Sequence, residues 1–222
     1  MAQPADLSPI PEAEAPRDCP LCPRLVAFRQ ACRAEHPGWW NAPVPAFGDR
    51  DAWLAIVGLA PGKHGANRTG RPFTGDFAGD LLYETLLGFD FARGNYQARP
   101  DDGLVLVDCL ISNAVRCVPP ENKPTPAEIA TCRPFLAERI ATMPRLAAIV
   151  VLGRIAHDST LSALGARKAN FPFAHGARHA VKPGLTLFDS FHCSRYNTNT
   201  RKLTPEMFRA VFSAVRDHLR TL

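Results

Sequence analysis

Apolar residues fall along this chain in two periods. Four runs, at residues 53–57, 104–111, 146–152 and 185–191, are nearly continuous in Val, Ile, Leu, Ala and Phe. Continuous rather than alternating hydrophobicity is the pattern of strands covered on both faces, as in a parallel sheet between helices. Helical signals lie between the runs. Thr125, Pro126 and Glu128 form a cap, a first-turn proline and a capping-box acid. Thr204 and Pro205 open a second helix that brings Phe208, Val211, Phe212, Val215 and Leu219 onto one face, a face that core packing alone explains. Alternating strands and helices predict an α/β fold: a three-layer α/β/α sandwich around a central, mainly parallel four-stranded sheet with right-handed crossovers. No internal repeat is present. Residues 1–17, rich in Pro, Ala and acids without periodicity, are expected to form a flexible N-terminal tail, and residues 18–222 a single domain.

Composition narrows the class without naming an activity. No apolar window reaches the roughly 20 residues of a membrane helix, and no secretory leader pattern is visible, so a cytoplasmic location with no membrane partner is expected. A monomer is expected too. The net charge is +5, which suits a polyanionic partner and equally suits a basic soluble surface. Where the polar chemistry sits must decide between them.

In open α/β sheets, ligands bind beyond the carboxyl ends of the strands. The four runs are followed by GLAPGKHGANRTGRPFTGD (58–76), SNAVRCVPP (112–120), GRIAH (153–157) and HCSRYNTNT (192–200), so polar residues gather at one edge. In the first loop, Gly58, Gly62 and Lys63 are too closely spaced for a phosphate-binding P-loop, and His64 stands where a magnesium-binding hydroxyl is needed. A nucleoside triphosphatase is thereby disfavoured.

Of seven cysteines, Cys19 and Cys22 form a CxxC pair, Cys117 closes the second loop and Cys132 lies inside the following helix. In a reducing compartment such a set points to metal rather than disulfides. Zinc and a 4Fe-4S cluster both accept four thiolates, and the cysteines alone do not choose between them. Cys32, Cys109 and Cys193 are left over.

Taken together, GLAPGKHGANRTGRPFTGD, SNAVRCVPP, HCSRYNTNT and the four cysteines resemble the iron-sulfur uracil-DNA glycosylases of family five, over nearly the whole chain after the tail. The resemblance implies an α/β/α enzyme that everts uracil and other deaminated bases such as hypoxanthine from DNA and hydrolyses the N-glycosidic bond, leaving an abasic site. It implies a structural 4Fe-4S cluster on Cys19, Cys22, Cys117 and Cys132. It also implies that Phe73 stacks on the everted base and that Asn113 reads its edge. Backbone at Gly58, Ala60 and Gly62 would complete the pocket. His192 would donate to the anion that departs, as bond breaking requires. Asp76 resembles the acid proposed to assist hydrolysis, and it also reads as a helix N-cap. Catalysis is therefore expected from Asp76, Asn113 and His192, and contact with DNA from Arg68, Arg71, Ser194, Arg195 and Asn197.

The chain departs from the family pattern at three places. Leu59 occupies the position where the related family four carries an acid. Cys193 replaces a proline after the motif histidine, so a more mobile His192 loop is expected, and Arg201 stands at a family glycine. A Schiff-base lyase would need a lysine, for which Lys63 is the pocket-loop candidate, so a monofunctional enzyme is expected. Two other classes stay open on the sequence: an iron-sulfur electron carrier or redox sensor, and a noncatalytic binder of damaged DNA.

Overall fold

A computed structural model describes residues 13–222. In chain order the elements are α1 (Pro23–Glu35), β1 (Phe47–Gly48), β2 (Leu54–Gly58), α2 (Ala66–Thr69), α3 (Phe77–Gly88), β3 (Ala92–Arg93), β4 (Val105–Leu106), β5 (Cys109–Asn113), α4 (Pro126–Ala141), β6 (Ala148–Leu152), α5 (Arg154–Ala163), β7 (Arg178–Lys182), β8 (Leu185–Ser190), α6 (Arg195–Asn199) and α7 (Pro205–Leu219).

The sheet has six strands in the order β1-β5-β2-β6-β8-β7, in which β5, β2, β6 and β8 run parallel and both edge strands run antiparallel. The expected four-stranded sheet is thus its parallel centre. β7 escaped the hydrophobic pattern because its residues alternate in exposure at the sheet edge. The 104–111 run is two strands rather than one. Val105–Leu106 pairs with Ala92–Arg93 in a separate ribbon, and Asp108, with a left-handed φ of 46°, turns the chain before β5.

Side-chain alternation along buried strands builds the three layers. Leu54, Ile56, Val150 and Phe188 face a core shared with Leu82 and Leu86 of α3 and Phe208 and Phe212 of α7. Ala55, Val57, Ile149, Val151 and Leu187 face the opposite core, shared with Leu136 of α4 and Leu161 of α5. The predicted helix starts are present. Thr125 accepts from the Glu128 amide at 3.2 Å while Glu128 accepts from the Thr125 amide at 2.7 Å, and Thr204 caps α7 through the Met207 amide.

The tail expected at residues 1–17 lies outside the described residues up to residue 12. Residues 13–17 fold back onto the body: Ala13 is buried, and Glu14 binds Arg139 at 2.7 Å and the Ala46 amide at 3.2 Å. Among the described residues no helix is long and apolar enough to cross a membrane.

Candidate active site

The carboxyl ends of the parallel strands open into a cavity of about 480 Å³. Its wall includes Ala60, Gly62, Phe73, Asp76, Asn113, His192, Ser194 and Arg195, together with Lys63, His64 and Asn122. Three of the four edge loops therefore converge on one space.

Gly58 and Asn113 end neighbouring strands and are directly opposite in register. A Cβ at Gly58 would lie 2.4 Å from Asn113 Oδ1 and 2.6 Å from Phe73 Cζ, so glycine is what lets these two groups meet. Asn113 is buried, and its Oδ1 has no hydrogen-bond partner. An unsatisfied buried amide is costly unless a ligand satisfies it. Phe73 has a left-handed φ of 53°, a strain on the order of 1–3 kcal/mol for a bulky residue. Helix α3 over-determines it: a Cβ at Gly79 would sit 1.8 Å from the Phe73 carbonyl oxygen, which also accepts from the Tyr96 hydroxyl at 3.3 Å.

The two oxygens of Asp76 have different neighbours. Oδ1 accepts from the Gly79 amide at 3.1 Å and so caps α3, whereas Oδ2 points at the glycine loop, 2.4 Å from where a Gly65 Cβ would be. Burial raises the Asp76 pKa above the ordinary carboxylate value, the Gly79 and Ala78 amides oppose the rise, and Asp80 adds to it. The cap reading and the cavity reading of this residue are compatible.

His192 follows β8, with its ring centroid 6.0 Å from that of Phe73. Burial pushes its pKa down to about 4 with no protein group opposing, so the imidazole is neutral near pH 7 and carries one N–H to donate. The loop that holds it is tied in two places. Asn197 Nδ2 donates to the His192 carbonyl at 2.8 Å, and the Cys193 thiol donates to the Ala78 carbonyl at 3.4 Å. Cys193 thus supplies a tether where proline stiffness is missing. Arg201 adopts a left-handed φ of 56°, keeping the conformation that glycine favours at that place.

A family model described as the uracil DNA glycosylase superfamily matches residues 45–216. The chain belongs to this superfamily. Within it the similarity is to type 5. It is 45% identical over 200 residues to the type-5 uracil-DNA glycosylase of Thermus thermophilus, spanning 87% of this chain and 90% of the relative. It is 39% identical over 199 residues to that of Pyrobaculum aerophilum, spanning 87% and 86%, and 40% identical over 203 residues to that of Mycobacterium tuberculosis, spanning 87% and 75%.

The glycosylase fold does not bring every expected DNA contact to the surface. Arg71 is buried, bidentate to Asp102 at 2.8 Å through both nitrogens and bonded to Thr74 Oγ1 at 2.7 Å, with its guanidinium over the Phe47 and Tyr83 rings. It braces the loop from beneath, its guanidinium held within the fold rather than presented at the surface expected of a DNA contact. Asn197 Nδ2 donates to the His192 carbonyl and so holds the loop. Arg195 is exposed at the cavity wall over the Phe77 ring. Arg68 is exposed in the first loop, its Nε donating to the carbonyl of His64, which lines the cavity. Ser194 caps α6 and lines the cavity. Asn122 was missed. It lies two residues beyond the SNAVRCVPP stretch in a 3-10 turn, with a left-handed φ of 57°, and the run of prolines before it was the available signal.

Cys19, Cys117 and Cys132 share a small core with Leu25, Val115 and Phe135, and Cys22 packs against it. All four thiols are free. Burial raises Cys117 to about 12 and Cys132 to about 11, and neighbouring cysteines add to both. Four thiolates there require a cation. Two donors face the sulfurs: the Arg116 amide at 3.3 Å from Cys132 Sγ and Arg29 Nη1 at 3.8 Å from Cys117 Sγ. Among the described residues, the group of three or more ligand atoms lying mutually within 4.8 Å is His157, His179 and Asp189, not the cysteines. Sulfurs about 2.3 Å from a single tetrahedral zinc would be only about 3.8 Å apart.

Proposed function

We propose that this chain excises uracil from DNA by hydrolysing its N-glycosidic bond, and that its pocket also admits other deaminated bases such as hypoxanthine. The observation that carries the reading is Asn113, buried with an Oδ1 that has no protein partner, on the wall of a cavity that also holds Phe73, Asp76 and His192. An amide both donates and accepts, which matches the adjacent O4 and N3–H of uracil. The duplex must release the base for it to enter, at a cost of a few kcal/mol, and stacking on Phe73 offsets about 1–3 kcal/mol of that by analogy with single-strand binders.

As the C1′–N1 bond breaks, its electron pair leaves with the base and positive charge develops on the sugar. Neutral His192 donates its N–H to the forming anion at O2. Asp76 Oδ2, carrying negative charge, favours the cationic sugar and orients the water that adds to C1′; the water's proton passes to the carboxylate and then to solvent. Lys63 does not serve as a Schiff-base nucleophile in this reading. Its Nζ pairs with Glu35 at 2.8 Å, and that hydrogen bond raises its pKa, keeping the amine protonated. A panel of duplex and single-stranded oligonucleotides bearing uracil, hypoxanthine or a normal base tests the reading. Abasic sites are expected at uracil; tight binding with no abasic product would support a noncatalytic binder instead.

For the cofactor, the donor set fits a 4Fe-4S cluster on Cys19, Cys22, Cys117 and Cys132. Four free thiols in one core, spread wider than a mononuclear site, with amide and guanidinium donors on the sulfurs, support it over zinc. When bound, the cluster supplies a cross-link between the α1 entry, the 113–122 loop and α4, and no redox step is needed. Cys117→Ser is expected to lower bound iron from about four per chain and to destabilise the fold by several kcal/mol, read by metal analysis and thermal melting. One zinc per chain would refute this assignment.

DNA contact falls to Arg195 on the cavity wall and to exposed Arg68, which is bonded to the cavity-lining His64, with Ser194 donating. Arg195→Ala is expected to weaken duplex binding and to reduce the salt slope of log K by about 1, with the thermal midpoint unchanged. Arg71→Ala is expected to do the reverse: a loss of stability of about 3–5 kcal/mol from stranding the buried Asp102 charge, and an unaltered slope in whatever fraction stays folded.

A further inference from the structure

Asp189, fully buried near the end of β8, stands three residues before His192. Its Oδ1 is 2.6 Å from Nδ1 of the buried His157 on α5, and its Oδ2 is 3.0 Å from Nε2 of His179 on β7 and accepts from the Ala174 amide at 3.2 Å. His157 Nε2 lies 2.8 Å from the Phe171 carbonyl oxygen. A carbonyl only accepts, so Nε2 bears a hydrogen. Oδ1 of the Asp189 carboxylate, 2.6 Å from Nδ1, is an acceptor too, so the geometry gives Nδ1 a hydrogen as well; burial opposes charge on His157, while the hydrogen bond and charge of Asp189 raise its pKa. These three residues are close enough to hold a cation, but a cation needs bare nitrogen lone pairs, and both nitrogens of His157 are already donors. The cluster is an ion pair.

None of its members lines the cavity. Instead they clamp the 171–179 segment to the strand that delivers His192. The Asp189 carbonyl accepts from the Gly176 amide at 2.8 Å, and its own amide donates to the Ala177 carbonyl at 2.9 Å. The clamped segment carries His175, whose Nδ1 accepts from the Phe191 amide at 3.1 Å and whose ring stacks on Phe191 at 5.0 Å. On the other side, Gly153, the N-cap of the helix bearing His157, donates to the Ser190 carbonyl at 2.8 Å. A Cβ at Gly153 would lie 3.5 Å from His192 Cβ. These two contacts, on Ser190 and Phe191 just before His192, thus come from elements that the Asp189 carboxylate also holds, in addition to the Asn197 and Cys193 ties beyond it.

We propose that His157, Asp189 and His179 are positioning residues for the reaction: Asp189 ties α5, β7 and the 171–177 loop to the end of β8 and so fixes where the His192 imidazole points. The inference rests on the proposed role of His192, and a double-mutant cycle separates the two. Single-turnover cleavage and equilibrium binding of a uracil-containing duplex would be measured for full-length Asp189→Asn, His157→Gln, His192→Ala and the two doubles with His192→Ala. Asp189→Asn and His157→Gln are each expected to slow cleavage about 10-fold or more, with binding within about twofold of wild type, and to cause no further loss when His192 is already Ala. An equal factor of loss in both backgrounds, or wild-type rates in the single variants, overturns the inference. If Asp189→Asn does not fold, the less buried partner keeps the test open. His179→Gln, whose amide still donates to Asp189, should keep the wild-type rate while His179→Leu loses it, and equal rates for the two overturn the inference. A wild-type rate for His192→Ala alone defeats the functional reading and this inference together, a result distinct from the additive one.

Discussion

His192→Ala is expected to slow uracil release about 100- to 1000-fold under single-turnover conditions, the usual effect of deleting one preorganised donor aimed at a developing oxyanion. Duplex binding should change far less, because the donor acts on charge that exists only as the bond breaks. With its pKa pushed down to about 4 by burial, the imidazole loses its extra proton well below neutrality and donates as a neutral group from about pH 5 upward. No ascending or descending limb between about pH 5.5 and 8 should therefore vanish in the Ala variant. Linkage gives a second sign. The unfolded chain binds a proton at this histidine at a higher pH than the folded chain does, so folded stability falls as pH drops from about 6.5 toward 4. Thermal melts across that range should lose more in wild type than in His192→Ala.

Asp76→Asn is the second large effect expected, a fall in rate of about 100-fold or more. Asparagine caps helices about as well as aspartate, so the variant keeps the Gly79 contact that Oδ1 makes and loses only the charge facing the glycine loop. Stability should stay within a few tenths of a kcal/mol of wild type. Asp76→Ala removes both functions and should cost about 1 kcal/mol in addition. Since burial raises the Asp76 pKa, wild-type activity should fall as pH drops through a value above 3.8, and that acid limb should be missing from Asp76→Asn. An unchanged rate in a folded Asn variant would reduce Asp76 to its capping role.

The parallel centre of the sheet was legible because strands buried on both faces need unbroken apolar runs, and the starts of α4 and α7 because caps are local chemistry. The edge strand β7 was not, since one open face lets Arg178, His179 and Lys182 interrupt it. Converging loops at one sheet edge were enough to gather Phe73, Asp76, Asn113 and His192. Arg71 shows where that reasoning stops. Its neighbours in sequence look like a phosphate-contacting loop, but its partner, Asp102, is 31 residues away, and only the folded chain brings the two together. The same holds for His157 and Asp189, 32 residues apart, each unremarkable in its own stretch. Long-range ion pairs leave no periodicity to read.

The central claim is that an everted base occupies the cavity between Phe73, Asn113 and His192. A duplex carrying 2′-fluoro-2′-deoxyuridine tests it most directly, because fluorine withdraws charge from the sugar and slows departure of the base, allowing the complex to be crystallised. The account predicts uracil outside the helix, its face on Phe73 and its O4 and N3 edge within about 2.7–3.2 Å of the Asn113 amide. Uracil still stacked in the duplex, or bound away from Asn113, would contradict it.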